Sequence, residues 1–300
     1  MGTPSFFIVG AQKCGTTMLY YYLKDHPEIF LPELKEPHFY SDDLRLRDRI
    51  DDHKSYSRLF DDAPASSIVG EASASYLFSK NAVHSIMAEN PDAKIIAMLR
   101  NPVEMIQAYH SELCYNLSED EHNFEYAWSL QAARRQGQNI PPSCVEPNIL
   151  QYYEVGCLGD QVEKLMSIVP ASQRLVILHD DVKQDVEGVY RDVLSFLEVS
   201  PVLPNSFEVV NERKRLKNKN LALLHKNLPE RLGRLYGPLK KMGNAVGITP
   251  SRWMEKYNIE KGKKERLPEH FVHELEDAFR PQVEKLETLL GRDLSHWLRH

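Results

Sequence analysis

Lys13, Thr16 and Thr17 stand in a short loop bracketed by Gly10 and Gly15. A cation, two hydroxyls and backbone amides freed by glycine are the groups that hold a phosphate-like anion. A second chemical cluster follows in Lys35-Glu-Pro-His-Phe-Tyr40, where Glu36 and His38 are one residue apart. A carboxylate or an imidazole within hydrogen-bond reach of a hydroxyl or amine can take its proton. His38 has the ordinary pKa nearer neutrality, about 6.5. Glu71 is a third candidate, either a base or a structural partner of Lys13 or Arg100. Arg100 follows an apolar run and offers a charged fork for a phosphate. Asn211 to Lys219 is the densest basic run and reads as an anion contact or a solvated helix start.

The elements that must position these residues alternate in type. Phe6 to Val9 reads as a buried strand, and Thr16 onward as a helix with Leu19, Tyr20 and Leu23 on one side. A strand, a glycine loop and a helix N-terminus together cradle an anion. The spacing of Gly10 and Gly15 is that of a Walker A loop, but Thr16 stands where its lysine belongs and the lysine sits inside the loop. Ser67 to Glu71, Ala93 to Leu99 and Arg174 to His179 read as further strands. Arg100 therefore lies at the carboxyl end of a buried strand, where open α/β sheets bind ligands. Helices are predicted from Ser79 to Ala88, after Pro102, from Ile149 to Val169 with an irregularity at Gly156 and Gly159, and from Val186 to Leu197. A closing helix is predicted from Leu267 to Leu290, kinked or broken at Pro281. Gly137 to Pro147 reads as a long mobile loop, a candidate for a lid or for the substrate side. The fold class is α/β, a mainly parallel sheet flanked by helices, and residues 1–300 form a single domain.

Composition narrows the function. At 42% hydrophobic and 27% charged the chain is that of a globular protein with a sizeable core. A net charge of −6 argues against nucleic acid as a partner. No apolar run approaches the roughly 20 residues of a membrane helix, and the first strand begins almost at once, so a cytoplasmic protein without a signal peptide is expected. Cys14, Cys114, Cys144 and Cys157 lack zinc spacing and are expected as free thiols, with no metal.

The order of Gln12-Lys-Cys-Gly-Thr-Thr17, Lys35-Glu-Pro-His-Phe-Tyr40, Gly70-Glu71 with Ser75-Tyr76, Leu99-Arg-Asn-Pro-Val-Glu104 and the closing Leu289 to Trp297 resembles the sulfotransferases that use 3′-phosphoadenosine 5′-phosphosulfate (PAPS). The likeness is greatest to the heparan-sulfate glucosaminyl branch and its bacterial relatives. It implies a P-loop-like sulfotransferase fold. It also implies that Lys13, Cys14, Gly15, Thr16 and Thr17 hold the 5′-phosphosulfate, that Arg100 holds the 3′-phosphate, and that Glu36 is the general base with His38 beside it. Arg213 and Lys214 fall near a late cofactor-binding loop of the family. Two positions depart from it. Ala108 replaces a serine that contacts the 3′-phosphate, with Ser111 three residues on as a substitute, and Ala72 replaces a lysine. The implied reaction moves a sulfuryl group from PAPS to a hydroxyl or amine of a carbohydrate or a small metabolite. A P-loop small-molecule kinase and a nucleotide-binding protein without catalysis are the alternatives.

Overall fold

The computed structural model of the protein describes residues 3–204, 206–207, 214–216, 259–261 and 266–298. In chain order the main elements are β1 (Phe6–Gly10), α1 (Thr16–Lys24), β2 (Ile29–Phe30), α2 (His53–Arg58), β3 (Ile68–Ala72), α3 (Ala82–Glu89), β4 (Lys94–Leu99), α4 (Pro102–Tyr115), α5 (Phe124–Ser129) and α6 (Gln131–Arg135). They continue with α7 (Tyr152–Gly156), α8 (Leu158–Ile168), β5 (Arg174–Leu178), α9 (His179–Gln184), α10 (Val186–Leu197), β6 (Lys214–Leu216), β7 (Ile259–Lys261) and α11 (Glu269–Leu290).

Strands β1 to β5 form one parallel sheet in the order β2-β3-β1-β4-β5, and β6 pairs antiparallel with β7. The mainly parallel α/β sheet expected from the sequence is therefore the one observed. β1 is buried along its whole length, as a strand covered on both faces must be. Its Phe6 pairs with Gly70 of β3 on one side and Lys94 of β4 on the other. The order reverses at β1, so the carboxyl ends of β1 and β4 flank the crevice where such sheets take ligands.

The helices cover the sheet through apolar stripes. In α11 the buried stripe runs Phe271, Leu275, Phe279, Val283 and Leu286. The break into two helices that Pro281 could cause does not occur, and α11 runs unbroken from Glu269 to Leu290. Pro281 lies on the exposed side, and the carbonyl deprived of its partner belongs to exposed Asp277, where water can satisfy it. The irregularity expected at Gly156 and Gly159 is the break at Cys157 between α7 and α8. Both glycines also allow α11 to come close. A Cβ on Gly156 would lie 2.4 Å from the Phe279 ring, and one on Gly159 would lie 2.6 Å from the Gln282 carbonyl. Helix α3 starts at Ala82 rather than Ser79, because the Ser79 hydroxyl caps it from outside by accepting from the Ala82 amide at 3.0 Å.

The segment from Gly137 to Pro147, expected as a loose loop, is tied down at several points. Arg134 Nε donates to the Asn139 carbonyl at 3.1 Å, and Arg47 donates to the Ser143 carbonyl at 3.0 Å. Glu146 is buried and accepts from the amides of Arg45 and Asn148. The anchor is a fork of Arg134 on Glu119, at 2.6 and 2.7 Å, which Tyr152 completes by donating at 2.6 Å. The two charged side chains are 1% and 0% exposed, so removing either strands the other in the core. Arg134→Ala is expected to destabilise the protein by roughly 3–5 kcal/mol, read as a fall in the urea midpoint at unchanged slope. An unchanged midpoint would contradict the anchoring role.

Candidate functional site

The loop after β1 is shaped by its neighbours. Ala11 donates to the Met98 carbonyl of β4 at 2.6 Å, and the Leu77 amide donates to Val9 at 2.7 Å. Gly10 has φ 141°, and a Cβ there would lie 2.7 Å from the Ala74 carbonyl, so only glycine passes. Gly15 is the N-cap of α1 at φ 99° and supplies no capping side chain. The first-turn amides of α1 are thus left to a ligand at the positive end of the helix. Thr16 is buried and Thr17 half-buried at that end.

Within the loop the side chains divide. Cys14 is fully buried, and its thiol donates to the Gln12 carbonyl at 3.2 Å. Its side chain belongs to the core, and only its backbone serves the loop. Burial pushes the thiol up to about 12, against the pull of Arg100 and Lys13. Lys13 stays outside, with its ammonium 3.3 Å from Glu112 of α4. Arg100 lies next to the loop at the end of β4. It donates to the Lys13 carbonyl at 3.5 Å and forks onto Glu104 at 2.7 Å.

The Lys35 to Tyr40 segment hangs on the end of β3. Glu36 donates its amide to the Ala72 carbonyl at 3.0 Å, and His38 donates its amide to the Ser73 hydroxyl at 3.1 Å. His38 Nδ1 lies 2.8 Å from the Ser75 hydroxyl. Both Glu36 and His38 hold left-handed backbone, at φ 63° and 55°, conformations that cost energy and persist where surroundings impose them. The Glu36 carboxylate bonds to Lys35 and lies 3.5 Å from His38 Nε2. Burial favours its neutral form, yet Lys35, His38 and Lys13 outweigh it and hold the carboxyl below its usual range. Burial pushes the His38 imidazole down, only partly offset by Glu36. The pair at neutral pH is therefore a carboxylate beside a neutral imidazole, with both groups shifted toward the weaker-base side of their ordinary values.

Glu36, His38, Gln12, Ser75, Tyr109 and Glu112 share a cavity of about 290 Å³. Arg45, Arg47 and Asp48 stand at its wall, with Val145 and Glu146 from the tied-down segment. That segment therefore borders the cavity that Glu36 and His38 line, and it is held rather than loose. Of the loop after β1, Gln12 lines this cavity beside Glu36 and His38.

Other expected residues stand elsewhere. The Ser111 hydroxyl donates back to the Gln107 carbonyl of its own helix at 3.0 Å. Glu71 pairs with neither Lys13 nor Arg100; it is fully buried and accepts from Tyr56 and Tyr76. Lys214 belongs to β6, which packs beside α4, and Arg213 lies outside the described residues. All four cysteines are free, so the thiol state is as expected. Among the described residues no group of His, Cys, Asp and Glu is arranged to hold a metal, and no helix is long and apolar enough to cross a membrane.

Sequence reasoning missed two residues. Glu112 pairs with Lys13, and its signal was the spacing of Tyr109, Glu112, Leu113 and Asn116 along one face of α4. His179 begins α9 beside Gly15, its Cδ2 3.5 Å from where a Cβ on that glycine would be. Its buried Nδ1 has no partner among the described residues. Burial, with Arg100 and Lys183 nearby, takes its pKa down to about 4, so a neutral imidazole borders the loop. No local pattern marks it, since only the pairing of β4 with β5 brings it there.

A family model, that of the sulfotransferase family, matches residues 4–202. The chain belongs to the sulfotransferase family. It is 29% identical to human carbohydrate sulfotransferase 15 across 66% of this chain and 44% of that protein. It is 27% identical to human bifunctional heparan sulfate N-deacetylase/N-sulfotransferase 3 across 66% of this chain and 22% of that protein. The chain thus spans less than half the length of these curated relatives. A solved sulfotransferase from Alicyclobacillus acidocaldarius superimposes with a TM-score of 0.73 at 28% identity, covering 100% of both chains. The P-loop-like sulfotransferase fold follows from that superposition.

Cys14 provides a check on the loop. In the folded protein it is expected to escape alkylation at pH 8, where an ordinary thiol of pKa about 8.5 reacts. Mass spectrometry after a short iodoacetamide pulse reads this. Labelling of Cys14 as fast as in urea would mean that the loop is built differently.

Proposed function

We propose that the chain transfers a sulfuryl group from PAPS to a hydroxyl or amine of a carbohydrate or small-metabolite acceptor, with Glu36 as general base. One observation carries this reading within the family: an ionised Glu36 faces the same cavity as Gln12 of the glycine loop and Glu112, the partner of Lys13. PAPS, when bound, supplies the activated sulfuryl group and an anionic leaving phosphate. The residues present fit it. The uncapped start of α1, the Arg100 fork and the unpartnered Nδ1 of His179 surround one loop.

Each residue has a distinct task. The amides from Lys13 to Thr17 and the Lys13 ammonium stabilise negative charge on the leaving oxygen. Glu112, 3.3 Å from that ammonium, orients it from the acceptor side. Arg100 is assigned the 3′-phosphate, with Glu104 fixing its plane. Glu36 accepts the acceptor's proton through Oε2, while Lys35 holds Oε1. His38, neutral and anchored by Ser75, hydrogen-bonds the acceptor or Glu36 without competing as a cation. A leaving group held by amides and Lys13 needs no metal clamp of the kind kinases use.

Glu36→Gln keeps the shape and removes the charge. Turnover is expected to fall by roughly 10²–10⁴ while calorimetry finds adenosine 3′,5′-bisphosphate bound within a few-fold of the native affinity. Normal turnover in this variant, with an inactive His38→Ala, would transfer the role to the imidazole.

Arg100→Ala is expected to weaken binding of the same bisphosphate by roughly 1.5–3 kcal/mol, the worth of a charge-assisted contact. A folded variant of native affinity would remove Arg100 from the nucleotide site. Tight binding of ATP with magnesium, and none of the bisphosphate, would point to a kinase instead.

A further inference from the structure

Glu71 is unused by the mechanism above, yet it is the most confined acid near the site. It lies at the end of β3 with no exposed surface. Its Oε2 accepts from Tyr76 at 2.6 Å and from Tyr56 at 3.1 Å, whereas Oε1 is buried without a partner among the described residues. Such a group is costly to keep, because half of its hydrogen-bonding capacity is lost on leaving water. An apolar side chain of similar volume would fill the same place at less cost if packing were the only requirement.

The residues just after Glu71 give the carboxyl a use, because they carry the attachments of the base segment. Ala72 takes the Glu36 amide, Ser73 takes the His38 amide and Ser75 holds the His38 ring. Tyr76, which donates to Glu71, also accepts from the Tyr40 amide at 3.4 Å. Glu71 thereby fixes one tyrosine that closes the segment carrying Glu36 and His38.

The groups facing the carboxyl can be named from each side. Tyr56 comes from α2, Tyr76 and Ser73 from the strand end, and Glu36 from the base segment. Tyr40 stands behind them, donating to Glu89 at 3.0 Å, and the β1 residue opposite is Phe7. No cation is among these groups. Burial raises the Glu71 pKa to about 7, the hydroxyls of Tyr76, Ser73 and Tyr56 oppose the rise, and the charge on Glu36 adds to it. The last effect is mutual, since two coupled acids each raise the other's proton affinity when ionised.

We propose that Glu71 is a positioning residue for the transfer: it holds the segment carrying Glu36 and His38 and, once ionised, strengthens Glu36 as a base. This inference rests on Glu36 being the base. Its consequence is a pH dependence with a defined owner. Glu71 ionises as the pH rises through neutrality, and Glu36 becomes the stronger base above that point.

The test is the pH dependence of kcat for the native protein, Glu71→Gln, Tyr76→Phe and Glu36→Gln, with bisphosphate affinity measured alongside. Native kcat is expected to rise through an inflection near neutral pH that Glu71→Gln lacks. At alkaline pH Glu71→Gln should turn over about 3–10-fold more slowly, in keeping with a weakened base rather than an absent one, at unchanged bisphosphate affinity. Tyr76→Phe removes a donor to the ionised form, so its inflection should move to higher pH. This variant keeps the inference testable if Glu71→Gln does not fold. A native inflection and rate in Glu71→Gln, or an unmoved inflection in folded Tyr76→Phe, would overturn the inference while Glu36→Gln remained inactive. Full turnover in Glu36→Gln would overturn the base assignment itself and this inference with it.

Discussion

The central position of β1 is the constraint on which the site depends. Because β1 pairs with β3 on one side and β4 on the other, three strand ends open onto one crevice. From β1 comes the glycine loop around Lys13, from β3 the shelf that carries Glu36 and His38, and from β4 Arg100. Bonds between neighbouring strand ends set the loop, with Ala11 on Met98 and Leu77 on Val9. Shifting β1 by one residue would turn Phe6 and Ile8 to the opposite face and carry the loop with them.

The charges at the site are ordered by their surroundings more than by their types. Glu36 is a half-buried acid on the segment after β2, and Glu71 a fully buried one at the end of β3. Lys35 and His38 keep one ionised, while the other, held by two tyrosines and no cation among the described residues, is poised near neutrality. Two carboxyl groups close in the chain's fold are thus pushed apart by their environments alone. The Lys13–Glu112 pair extends the same arrangement across the cavity, since the cation of the loop is aligned by an acid from α4.

Rigidity around the cavity has a separate source. The wall from Gly137 to Pro147 has polar, proline-rich composition, which in a chain read alone indicates a mobile loop. The structure holds it through Arg134, Arg47 and the buried Glu146. Each of these partners is distant in sequence or acts through a backbone carbonyl, so composition carries no trace of them. The Arg134–Glu119–Tyr152 cluster lies in the core with its charges forked and hydrogen-bonded, the condition under which buried charges hold a structure instead of weakening it.

By itself the sequence determined the alternation of strands and helices, the parallel sheet, the glycine loop around Lys13 and the strand-end position of Arg100. These arise from apolar periodicity, from glycine at positive φ and from the burial of parallel strands, all of which act over a few residues. Helix α10 matches its apolar pattern from Val186 to Leu197 for the same reason. The continuity of α11 past Pro281 was not legible, because the exposed carbonyl at Asp277 tolerates the missing donor only when the opposite face is packed. The pairing of Lys13 with Glu112, the place of His179, the isolation of Glu71 and the downward shifts of Glu36 and His38 were decided by tertiary structure alone. Each depends on which groups meet across the sheet and how much water they lose there, and a charge's strength in a protein is set by those two quantities.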